Sequence, residues 1–104
     1  MNYGILVKAT GETIDVEFEK EFDSVVSLIG NSTPKLNQFN DISVFSSGSE
    51  DDSINGIASF VFRMISGSEA ELFGNVLFTG SIDALNLQKM KESTIALIKT
   101  LSNA

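Results

Sequence analysis

The chain has 104 residues, room for one domain but not two, and 42% of them are hydrophobic, enough to build a core. With no Cys and no His, it excludes disulfides, thiolate or imidazole metal sites, and every Ser–His or Cys–His nucleophilic pair. A net charge of −7 argues against direct nucleic-acid binding, which needs a basic face, and against attraction to an anionic membrane.

In chain order, Tyr3 to Ala9 ("YGILVKA") is a short apolar run with β-formers and reads as a buried strand. Thr10-Gly11-Glu12 offers a turn. Thr13 to Glu19 then alternates, with Ile14, Val16 and Phe18 on one face and Asp15, Glu17 and Glu19 on the other, the pattern of a half-buried antiparallel strand. The two strands are expected to form a hairpin. From Glu21 the period becomes helical: Phe22, Val25, Val26 and Ile29 share a stripe that Gly30 ends. Leu36 to Ser46 holds one strand centred on Ile42, Val44 and Phe45, and residues 47–56 form a polar loop.

Residues 57–65 fit two periods. Ile57, Phe60, Val61, Met64 and Ile65 have helical spacing, while Ala58, Phe60, Phe62 and Met64 alternate, and the helical reading is preferred. Leu72 to Thr79 ("LFGNVLFT") reads as a central strand. Leu87, Met90, Thr94, Leu97, Ile98 and Leu101 form one face of a C-terminal helix, capped by Asp83 or Asn86. Ile95 and Ala96 widen that face, which implies burial against the sheet or a homodimer contact through this helix. The order β-β-α-β-(α)-β-α specifies an α+β domain over 1–104: a mostly antiparallel sheet of about four strands, packed on one side by two or three helices.

The charge is unevenly placed. Residues 9–60 carry ten acids and two bases, whereas the rest of the chain carries four acids and five bases. The densest stretch, "GETIDVEFEKEFD", holds Glu12, Asp15, Glu17, Glu19, Glu21 and Asp23, and Glu50, Asp51 and Asp52 extend the acidic set. Alternate residues of a strand recur every ~6.6 Å, close to the spacing of phosphates along a nucleic-acid strand. Such a row can compete for Lys and Arg that would otherwise hold phosphate. The plainer reading is a solvated strand face whose charges prevent edge-to-edge aggregation.

Little in the chain points to catalysis. The carboxylates lie on an expected solvent face, where nothing raises their pKa for acid catalysis, and neither a P-loop nor GxGxxG occurs. The segment Asp51-Asp52-Ser53-Ile54-Asn55-Gly56 begins like a calcium loop, but its twelfth position is Phe62 where a bidentate Glu belongs. No metal or cofactor is therefore expected. The single Arg, Arg63, gives little to a nucleotide phosphate unless a symmetric oligomer gathers several copies. The N-terminus lacks a basic n-region and a long apolar segment, which suggests a cytoplasmic protein.

Three further features run together: the helix ending in Leu28-Ile29-Gly30, the step Asn55 to Ala58 ("NGIA") and the Gly-anchored apolar run Gly74 to Gly80 ("GNVLFTG"). With the acidic second strand, they make the chain similar to a family of small proteins of unknown function carried by bacteriophages and mobile elements. The resemblance implies an accessory protein with no catalytic residues, acting in a bacterial host cell. It also implies a host protein as partner, such as a CRISPR nuclease or another defence protein with a basic nucleic-acid-binding surface. A reading from another class is an oligomeric module that sequesters a small metabolite. A third is a structural accessory protein whose charge confers only solubility.

Overall fold

Two apolar runs with no polar interruption, Gly4–Val7 and Val76–Phe78, occupy the middle of a sheet, where a strand is covered on both sides and needs no polar face. The computed structural model describes residues 2–18, 29, 35–39, 42–47, 53–80, 82–83, 86–87 and 90–102. Its strands are β1 (Asn2–Val7), β2 (Thr13–Phe18), β3 (Lys35–Phe39), β4 (Ile42–Ser46) and β5 (Val76–Gly80). They form one open antiparallel sheet in the order β2-β1-β5-β4-β3. Two helices are described, α1 (Gly56–Ser66) and α2 (Glu92–Ser102). Between β5 and α2 a small hairpin pairs β6 (Ile82–Asp83) with β7 (Asn86–Leu87). The chain is thus an α+β fold, as the order of its elements suggests.

The sheet consists of two local hairpins joined by a later strand. β1 pairs with β2, β3 pairs with β4, and β5 lies between the two pairs, opposing Ile5 and Val44 with Phe78. Each transverse row shows which residues share a face. Asp15, Ile5, Phe78, Val44 and Asn37 make one row, and Ile14, Leu6, Leu77, Phe45 and Leu36 make the next, on the opposite side. The first side carries the main core, in which Ile5, Val7, Val44 and Phe78 meet Ala58, Val61 and Phe62 of α1 and Ile98 of α2. On the second side Leu6, Phe45 and Leu77 meet Ile29 and Val16.

Several expectations are corrected. The sheet is not covered on one side only, because Phe45 and Leu77 are fully buried on the face away from α1 and α2. Residues 36–46 form two strands rather than one. The register Phe39↔Ile42 leaves only two residues between them, and the first strand escaped notice because an edge strand with one exposed side has little apolar signal. The expected strand from Leu72 begins only at Val76. Gly74, at φ 68°, turns the chain through a conformation that side-chain-bearing residues rarely adopt, leaving Phe73 in an isolated bridge with Ile54. The C-terminal helix starts at Glu92, so neither Asp83 nor Asn86 caps it; both are strand residues of the small hairpin. Its Leu97 is exposed rather than core, while Ile95 packs against the core and Ile98 is fully buried. The helical reading of 57–65 holds, but the inward face is Ala58, Val61 and Phe62, leaving Phe60 and Met64 outside. The helix expected over Phe22 to Ile29 lies outside the described residues except for Ile29, which is helical and buried.

Asn55 joins three of these parts. Its Oδ1 accepts from the Ala58 amide at 3.0 Å and caps α1, while its Nδ2 donates to the carbonyls of Val7 at 2.8 Å and Gly74 at 2.9 Å. The side chain is almost wholly buried and all its polar atoms are engaged, so it is neither the tip of an exposed Asn-Gly turn nor directed outward as a calcium ligand.

Candidate protein-binding surface

Of the acidic residues singled out from the sequence, Glu12 and Asp15 have described side chains. Glu12 closes the turn after β1, where its carbonyl accepts from the Lys8 amide at 2.8 Å and its carboxylate lies 3.5 Å from Lys8 Nζ. Gly11 makes that turn at φ 97°, and a Cβ there would stand 3.3 Å from Ile57 Cδ1, so a glycine lets the turn settle on α1. Asp15 stands on β2, one of the two edge strands, on the sheet side that carries the helices. It accepts a hydrogen bond from Lys99 Nζ of α2 at 2.7 Å. Glu17 pairs with Tyr3 in the backbone register, and its side chain lies outside the described residues. Glu19, Glu21, Asp23, Glu50, Asp51 and Asp52 also lie outside the described residues.

Over Ile14, Asp15 and Val16 the alternation read in β2 holds, but its polar side is not simply open. Lys8 and Lys99 each approach one carboxylate. Both pairs are exposed, with the Glu12 and Asp15 side chains 61% and 59% accessible, so each pair contributes ~0–1 kcal/mol and exchanges readily with an incoming cation.

The sequence reading missed a second surface next to this one. The first turn of α1 and the last turn of α2 enclose an open groove of about 300 Å³ lined by Gly56, Ile57, Phe60, Leu101 and Ser102. Phe60 also borders a neighbouring groove of about 470 Å³, shared with Ser59, Arg63, Glu69, Ala70 and Glu71. Arg63 reaches Glu69 at only 4.0 Å, and Glu71 has no ion-pair partner among the described residues. The signal was present in α1, whose eleven residues ("GIASFVFRMIS") hold more large apolar side chains than one helix face can bury.

Among the described residues no group of three or more Asp or Glu is gathered to hold a metal, and no helix is long and apolar enough to cross a membrane. No protein family, curated protein or solved structure matches the chain.

Proposed function

We propose that the protein is a non-enzymatic binding protein that covers a basic surface of a host defence protein, of the kind that holds nucleic acid, and so inhibits it. The observation that carries this reading is the accessible pair Glu12, in the turn before the edge strand β2, and Asp15, on that strand, in the most acidic stretch of a chain with net charge −7. A basic partner is drawn to such an edge at long range and can take Asp15 from Lys99 at small cost. The resemblance to phage-borne proteins supplies the class of partner, and a CRISPR nuclease is one example.

The test begins with capture from bacterial lysate and identification of the bound protein, followed by affinity measurement on that purified partner. Glu12→Gln, Asp15→Asn, Glu17→Gln and Glu19→Gln are combined in one variant. Binding should fall at least tenfold, weaken with rising salt, and be competed by nucleic acid, with the fold intact by circular dichroism. Unchanged affinity and salt dependence in the folded variant would show that the carboxylates are only the wet side of a strand.

A further inference from the structure

Among the described residues, five large apolar side chains are exposed: Leu36, Ile54, Phe60, Met64 and Leu97. Single exposed apolar residues are ordinary on a protein surface, but four of these five belong to α1, α2 or the segment just before α1. Phe60 and Met64 lie one turn apart on α1, Leu97 lies one turn before Leu101 on α2, and Ile54 precedes the Asn55 cap of α1. Leu36 stands apart on β3, and of the other four Phe60 lines the groove together with Ile57 and Leu101.

The surroundings of that groove are acidic on two sides. One wall continues through Phe60 to Glu69 and Glu71. On the other side, Gly11 packs on Ile57 and brings the Glu12 turn alongside, and Asp15 is tied to α2 two residues before Leu101. On the first wall Arg63 stands off Glu69 at 4.0 Å and Glu71 is unpaired among the described residues, whereas on the second Lys8 and Lys99 hold Glu12 and Asp15 in exposed pairs that an incoming cation can exchange. An apolar slot between two helices, bordered by carboxylates, is complementary to a helix with apolar residues on one face and lysines or arginines beside them. A second copy of this chain fits the charge poorly, since each copy carries −7.

We propose that the groove between α1 and α2 seats the apolar face of a basic amphipathic helix of a partner protein. Ile57, Phe60 and Leu101 take its apolar side chains, and Glu69 and Glu71 take its basic ones. The inference rests on the acidic-surface reading and adds to it an apolar anchor. Phe60 and Glu71 stand outside the β2 row, so the two readings fail separately.

The probe is a fluorescein-labelled leucine–lysine peptide with leucines on one helical face, set against a peptide of the same composition with its leucines scattered round the helix. Fluorescence anisotropy should show the amphipathic peptide binding at least tenfold more tightly. Phe60→Ser should remove that preference while leaving the weak charge-driven binding of the scattered peptide unchanged. Glu71→Lys, on an exposed position between elements, should weaken both peptides and flatten the salt dependence, and it serves as the readout if Phe60→Ser lowers the melting temperature. Equal affinity for the two peptides, or amphipathic binding that survives Phe60→Ser, would overturn the proposal. So would light scattering that shows a dimer abolished by Phe60→Ser, since a second copy would then occupy the groove. If the β2 variant loses the captured partner while the peptide preference is absent, the acidic-surface reading stands and the groove proposal falls.

Discussion

β2 and β5 flank β1 in the same sheet, each antiparallel to it, yet their sequences have little in common. β5 ("VLFTG") is buried at every position, while β2 ("TIDVEF") has Asp15 exposed and Ile14 and Val16 half-buried. The difference follows from place: β5 has a neighbour on each side and a layer over each face, while β2 is an edge that solvent reaches. The acidic residues stand where a charge costs least, and that is also where a partner can reach them. Alternation in a strand therefore reports an edge here, and a continuous apolar run reports the centre.

Truncation of one apolar side chain on each strand gives the largest effect with which to test this contrast. Phe78→Ala on β5 should cost ~3–5 kcal/mol, because a fully buried ring leaves a cavity. Val16→Ala on β2 should cost about 1 kcal/mol, the transfer value of its half-exposed methyls. Urea unfolding midpoints measure both, and equal losses would show that β2 is as much core as β5. The next effect is at Asn55. Asn55→Asp keeps the cap on α1 but removes the donor to the Val7 and Gly74 carbonyls, and should cost ~2–3 kcal/mol. The same exchange at Asn75 should cost less than ~0.5 kcal/mol, since there the side-chain oxygen accepts from the Ala9 amide and an Asp oxygen can do so too. A further small effect concerns the edge itself. Asp15→Asn, which removes the charge that Lys99 meets, should lower stability by no more than ~1 kcal/mol, a loss that vanishes in high salt. A larger, salt-independent loss would make the Asp15 pair part of the core rather than an exchangeable contact.

The parts of this architecture that the sequence made legible are those with one dominant period. β2 shows itself by alternation, β1 by an unbroken apolar run, and α1 by its spacing, capped by Asn55 and closed at Gly67, whose amide donates to the Arg63 carbonyl. β3 was hidden because Lys35, Asn37 and Gln38 dilute its pattern, although Asn40-Asp41 between Phe39 and Ile42 is a turn signal. The start of α2 was misplaced because Leu87 matches the helical spacing by coincidence while pairing with Ile82 in a hairpin. For the candidate surface, charge density alone led to Glu12 and Asp15. The groove could not be read from either helix, since Phe60 and Leu101 are brought together only by packing α1 beside α2. Periodicity counts apolar residues on a helix but cannot say which of them the tertiary fold leaves uncovered.

The position of β5 also shapes how the chain can assemble during synthesis. The strand at the centre of the sheet is the last of the five to leave the ribosome. Until Val76 can meet Val7 and Phe78 can meet Val44, the β1–β2 and β3–β4 hairpins have no shared ladder. Each then presents an unpaired edge beside unburied apolar side chains, a combination that invites contact with other nascent chains. The non-local closure that completes the sheet is slow compared with formation of either hairpin. A chain released by a ribosome that stalls before residue 76 would therefore carry two adhesive hairpins rather than a smaller domain.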